Sequence, residues 1–130
     1  FFFFFFFFFL LFGGHLNIRS MKPKREQLEH LLYSSNIDFL GLTETWLTHT
    51  SPDAVVNMPG YNVFRKDRDN GRGGGVLIYV RHTLKCTMIE WPSDIFLECI
   101  GVDISLSETM SFIIVCIYRK PTFFFFFFFF

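Results

Sequence analysis

Four side chains at or just beyond the ends of apolar runs could do chemistry in this chain. Glu44 follows directly on Ile37-Asp38-Phe39-Leu40-Gly41-Leu42 and sits between Thr43 and Thr45. A short apolar run bounded by polar residues predicts a buried strand. Its carboxylate then stands at the carboxyl end of that strand, where open α/β sheets place their ligands. Asn17 ends the preceding run, in Leu16-Asn17-Ile18, and Tyr118 ends the last, in Cys116-Ile117-Tyr118, with Arg119 next along the chain. A carboxylate, an amide, a phenol and a guanidinium make an environment for phosphate and Mg²⁺. Mg²⁺ takes few protein carboxylates and keeps several waters, so Glu44 can serve as its main protein ligand. The amide and the phenol can donate to phosphate oxygens. The plain alternative is a solvated Glu in a Thr-rich loop.

The elements that must position these groups follow from periodicity and turn signals. Leu10 to Ile18 reads as a strand interrupted at Gly13-Gly14. Leu28, Leu31 and Leu32 recur at helical spacing, and Pro23 suits a first turn, so a helix is expected from about Pro23 to Tyr33. Strand, helix and the Ile37 run form a βαβ-type unit. Ser51-Pro52-Asp53 predicts one helical turn to Val56 with Ser51 as its cap. Pro59-Gly60 marks a turn, Tyr61 to Phe64 a strand, Asp69-Asn70-Gly71 a hairpin loop, and Val76 to Val80 the returning strand. Further strands are expected over Lys85–Trp91, Phe96–Ile104 and Met110–Tyr118. The class is α/β with mixed sheets. Gly73-Gly74-Gly75 leads into a strand, not a helix, and no Lys-Ser/Thr follows it, so a close backbone approach fits better than a phosphate loop.

Composition bounds the rest. The chain has 130 residues, enough for one domain or part of a larger one. Residues 1–9 and 123–130 are pure Phe and hold 17 of the 22 phenylalanines. These tracts are shorter than the roughly 20 residues of a spanning helix, and no basic segment precedes the first, so neither a membrane span nor a signal peptide is expected. They read as filler around a partial domain over residues 10–122. Formal net charge is zero, so no global basic field points to nucleic acid. Arg19, Lys22, Lys24 and Arg25 form one basic cluster and Arg65, Lys66, Arg68 and Arg72 another, each equally well read as solvated surface. Cys86, Cys99 and Cys116 lie within apolar runs without metal-type spacing, which predicts free buried thiols in a reducing, intracellular compartment, nuclear or cytoplasmic. His15, His30, His49 and His82 are expected on loops or the surface.

The ordered motifs carry a resemblance. Asn17-Ile18-Arg19-Ser20, Gly41-Leu42-Thr43-Glu44-Thr45-Trp46-Leu47, Pro59-Gly60-Tyr61, Arg72-Gly73-Gly74-Gly75-Val76 and Tyr118-Arg119-Lys120-Pro121 resemble the endonuclease/exonuclease/phosphatase superfamily. Within it, the chain looks most like the N-terminal part of the apurinic-type endonuclease domain of LINE-like non-LTR retrotransposon polyproteins. That resemblance implies a four-layer α/β sandwich of the DNase I-like type and a phosphodiesterase cleft using Mg²⁺, or alternatively Mn²⁺. It implies Glu44 as metal ligand, Asn17 and Tyr118 as catalytic groups on the scissile phosphate, and Arg19 and Arg119 as substrate contacts. It implies DNA as partner and a reverse transcriptase domain downstream, with no membrane and no organic cofactor. Arg19 stands where many repair relatives carry an acidic residue. The Asp-x-Asn and Ser-Asp-His motifs that follow the Tyr strand in the family do not occur in these residues, so half a site and a marginal half-sandwich are expected. A non-catalytic retroelement remnant or DNA-binding module, and a phosphomonoesterase or phosphoinositide phosphatase, are the alternatives.

Overall fold

The computed structural model describes residues 11–69, 72–91 and 97–119 with side chains, and 3–8 and 123–129 by backbone alone. Leu10, the Asn70-Gly71 hairpin tip, Phe96 and the Lys120-Pro121-Thr122 run lie outside the described residues. In chain order the elements are β1 (Phe3–Phe8), β2 (Leu11–Asn17), a 3₁₀ turn (Lys22–Lys24), α1 (Arg25–Ser34), β3 (Phe39–Thr43), α2 (Asp53–Val56), β4 (Tyr61–Lys66) and β5 (Val76–Arg81). Then come β6 (Lys85–Ile89), β7 (Glu98–Ser105), β8 (Ser111–Tyr118) and β9 (Phe123–Phe129). One sheet runs β1-β2-β3-β5-β4 and the other β6-β7-β8-β9. Only parallel neighbours need a crossover, and β2 and β3 are the parallel pair, with α1 as their connection. The remaining pairs are antiparallel.

Period-two alternation divides the apolar residues of the first sheet between two cores. Leu40 and Leu42 of β3 and Leu77 and Tyr79 of β5 pack with Leu28 and Leu32 of α1 and Val56 of α2. Phe39, Val76, Ile78 and Val80, one residue out of phase, pack against Ile100, Val102 and Ile104 of β7 and Phe112, Ile114 and Cys116 of β8. The first sheet is thus covered on both faces, which is why β3 and β5 read as continuous apolar runs. The layers are helices, sheet, sheet. Among the described residues no helix lies on the outer face of the second sheet, so three layers of the expected four-layer sandwich are present.

Four local expectations give way to what the packing requires. Gly13 does not interrupt its strand: it pairs with Phe39, and the Phe39 ring occupies the space a Cβ would need. Pro23 sits in the 3₁₀ turn, and the α-helix proper begins at Arg25. Ser51 does not cap α2. It is 4 % exposed, accepts the Thr48 N–H on its Oγ at 3.0 Å, and leaves Pro52 as N-cap. His15 is not on a loop or the surface: it is 6 % exposed within β2, and its Nε2 lies 3.2 Å from Thr43 Oγ1. His30, His49 and His82 are exposed, as expected. The cysteines are free, with Cys99 and Cys116 buried and Cys86 half-buried. The two Phe tracts, set aside as filler, extend the two sheets as β1 and β9. An open sheet edge accepts any extended partner.

Candidate active site

Strands β2, β3 and β8 end, and β5 begins, at one edge of the sandwich. Asn17 is in register with Thr43, and Thr43 with Val76. The backbone ladder does not stop there. Ile18, Ser20 and Met21 donate to the carbonyls of Thr43, Glu44 and Thr45 at 3.0, 2.9 and 3.0 Å. On the other side Thr45 and Trp46 donate to Gly75 and Gly74 at 3.3 and 2.9 Å. Glu44 therefore sits on a segment clamped from both sides. The clamp demands left-handed backbone at Arg19, Ser20, Glu44 and Trp46, with φ of 44°, 79°, 58° and 56°. Such conformations cost non-glycine residues energy and cluster at functional sites.

These segments surround an open cleft of about 470 Å³, lined by Asn17, Arg19, Glu44, Trp46, Arg68, Arg72, Gly73 and Tyr118. Glu44 Oε2 accepts the indole N–H of Trp46 and the N–H of Gly74, the latter at 3.3 Å. Burial alone would raise the Glu44 pKa. Hydrogen bonds from Tyr118, Trp46 and Gly74, with the Arg68 charge, outweigh it and hold the carboxyl below its usual value. The Tyr118 phenol is pushed up to about 12 by burial first and by its bond to the Glu44 carboxylate next, so it stays a donor at neutral pH.

A second carboxylate completes the edge. Glu98, at the start of β7, pairs through Oε1 with Arg68 Nε and accepts the Gly75 N–H on Oε2 at 2.6 Å. The Arg68 guanidinium lies 5.8 Å from the Tyr118 ring centroid and donates to the Arg72 carbonyl at 3.2 Å. It also fills the space beside Gly74 that a Cβ would take. Arg72 covers the Trp46 ring at 5.5 Å. The glycine run thus presents consecutive amides to two carboxylates, with φ of 69° at Gly74 and 87° at Gly75.

The structure brings Asn17, Arg19, Glu44 and Tyr118 into one cleft, whereas Arg119 is exposed and not among the lining residues. Sequence reasoning gives Trp46 and Arg72 no role beyond their motifs, and Arg68 and Glu98 no role in the site. Arg68 and Arg72 stood in a basic cluster with a plain solvated reading, and nothing local marks Glu98. Among the described residues no three His, Cys, Asp or Glu side chains gather as a metal cage. Glu98 is committed to Arg68 and Gly75, and among the described residues lining the cleft the side-chain oxygens are those of the Glu44 carboxylate, the Asn17 amide and the Tyr118 phenol. An all-oxygen set with one carboxylate suits a hard cation that retains its waters, Mg²⁺ or Mn²⁺, and not a soft metal.

Comparison with known proteins gives one family and one fold. The family described as endonuclease/exonuclease/phosphatase matches residues 11–123. A solved structure of the human Nocturnin catalytic domain with bound sulfate anion superposes with a TM-score of 0.53 at 16 % identity, covering 85 % of this chain. The chain spans about half of that domain, 49 % of its length. Comparison with curated proteins finds no sequence match.

Proposed function

The chain belongs to the endonuclease/exonuclease/phosphatase family, and from that premise we propose that it is part of a Mg²⁺-dependent DNA endonuclease of the LINE-like retrotransposon type. The observation that carries this reading is the meeting of Asn17, Glu44 and Tyr118 in one cleft from the ends of three separate strands. Glu44, with the Asn17 amide beside it, would hold Mg²⁺ or Mn²⁺, which when bound supplies Lewis acidity to a phosphodiester. Asn17 orients the scissile phosphate as a fixed dipole, and the Tyr118 phenol, which donates its one proton to the Glu44 carboxylate in this structure, turns that proton to the phosphate when substrate is bound. Arg19 and Arg72 carry charge toward the flanking phosphates, which suits a polyanionic strand.

In this reading the partner is target DNA, which is nicked so that the freed 3′ hydroxyl primes a reverse transcriptase encoded further along the same polyprotein. The protein then works inside the cell, in nucleus or cytoplasm. Among the described residues no helix is long and apolar enough to cross a membrane. These 130 residues contain neither Asp-x-Asn nor Ser-Asp-His, so the general base of the family site is lacking and this polypeptide alone leaves DNA intact. A second reading, a non-catalytic remnant that still binds DNA, draws on the Arg19 and Arg72 charge at the cleft.

Incubation of supercoiled plasmid with the purified chain and Mg²⁺ tests the inactivity: the plasmid stays supercoiled, and nicking that disappears in Glu44→Ala would overturn it. The coding sequence on both sides tests the origin. A frame running on into the two motifs and a reverse transcriptase supports the endonuclease, and a frame without them leaves the remnant.

A further inference from the structure

Glu98 has no place in the chemistry above, yet both of its carboxylate oxygens are engaged at the edge of the cleft. One of its oxygens takes the Arg68 guanidinium and the other the Gly75 amide. Arg68 is also near Glu44. Glu44 Oε2 and Arg68 Nη1 lie 3.6 and 3.8 Å from a single point, where a Cβ on Gly73 would stand. An arginine at that range, left without a countercharge, would turn to the Glu44 carboxylate and compete with any cation there.

We propose that Glu98 is a positioning residue that keeps Arg68 off Glu44, so that the Glu44 carboxylate stays available to a divalent cation while Arg68 lies on the Tyr118 ring. The inference rests on the reading of Glu44 as the cation's ligand. Three contacts define the parked arginine: the Glu98 pair, the Tyr118 ring at 5.8 Å and the Arg72 carbonyl at 3.2 Å. Glu98 sits on the second sheet, and Arg68 follows β4 of the first, so the pair also ties the two sheets together beside the cleft. Gly74 is part of the same arrangement, because a side chain there would occupy the volume of the guanidinium.

The sequence has two tryptophans, Trp46 and Trp91. With Trp91→Phe, fluorescence of the remaining Trp46 reports on the carboxylate to which its indole donates. The full chain is titrated with MgCl₂ alone, with unfolding midpoints recorded for each variant. A saturable change is expected in the parent. Glu98→Gln, which frees Arg68 while keeping an acceptor for Gly75, raises the Mg²⁺ midpoint about tenfold. The double variant Arg68→Gln/Glu98→Gln brings it back to within about twofold of the parent. An unchanged midpoint in Glu98→Gln, or a double variant as weak as the single, overturns the proposal. If Glu98→Gln does not fold, Arg68→Gln reads the same claim: its midpoint stays at or below the parent's, and a rise of about tenfold overturns it. A parent that gives no response removes Glu44 as cation ligand, and the inference falls with that reading.

Discussion

Trp46 donates its indole N–H to the carboxylate of Glu44, two residues before it, and both residues hold left-handed backbone with φ of 56° and 58°. The hairpin-like geometry folds the ring back over its own acid, and Gly74 donates to the same oxygen at 3.3 Å. Neutral donors are thereby concentrated on one oxygen of an acid that burial would otherwise make harder to ionise.

Removing donors should raise the Glu44 pKa. Trp46→Phe and Tyr118→Phe each delete one hydrogen bond to the carboxylate while keeping an aromatic ring. Titration of the Glu44 carboxyl carbon by NMR should show an upward shift in both, larger in the double variant. Because the parent acid is depressed, it favours the folded state above the unfolded-chain pKa, and that favour fades as pH falls through the folded value. Both variants should lose less stability over that acid range. Titration curves that coincide with the parent's would remove these residues as determinants of Glu44.

The glycine run should tolerate no side chain. Gly74→Ala meets the Arg68 guanidinium and a φ of 69°, and Gly75→Ala meets the Thr45 hydroxyl and a φ of 87°. Each should cost about 1–3 kcal/mol in urea unfolding. Gly60→Ala, at φ 87° but with only an ordinary contact to His82 Nδ1 at 3.8 Å, isolates the backbone part of that cost. Equal losses at all three positions would show that the contacts with Arg68 and Thr45 carry no weight.

His15 should make the protein acid-sensitive well above the carboxylate range. Burial lowers its pKa from 6.5 to about 4. Between those values the unfolded chain binds a proton that the folded chain refuses, so its contribution is complete above about pH 6.5 and is lost as pH falls toward 4. The amount at stake is on the order of 3 kcal/mol. His15→Gln should flatten the stability curve across that window, and an unchanged slope would refute the assignment.

Arg72 should act on affinity without sequence preference. It is exposed at the cleft and stacked on Trp46. In the endonuclease reading proposed above, Arg72→Ala should weaken DNA binding uniformly and lower the salt slope by about one. Binding that keeps the parent's salt dependence would exclude it from phosphate contact.

What the sequence disclosed depended on how local its signals were. The helix and the strands around Glu44 were legible because one apolar face or two buried faces leave a periodic imprint. The meeting of Asn17, Glu44 and Tyr118 at one edge could be anticipated because each follows or closes an apolar run. Glu98 and Arg68 could not, because their meaning lies in a pair separated by 30 residues, one on the second sheet and the other just beyond β4 of the first. His15 misled for a related reason. Its partner Thr43 lies across a parallel pair, and nothing in Gly14-His15-Leu16 announces a hydroxyl waiting there. Ser51 carried the spelling of a helix cap, but a neighbouring turn claimed its oxygen first.

The backbone ladder that runs past the strand ends has a consequence for motion. Glu44 is carried on a segment whose carbonyls are taken by Ser20 and Met21 on one side and whose amides are spent on Gly74 and Gly75 on the other. Such a segment opens only when several bonds break together, so it exchanges with the core and not with mobile loops. The amide protons of Ser20, Met21 and Trp46 should therefore rank among the slowly exchanging ones, although Ser20 and Trp46 are only half-buried. The long side chains of Arg19 and Arg72, which line the same cleft, can reorient around a carboxylate that stays still.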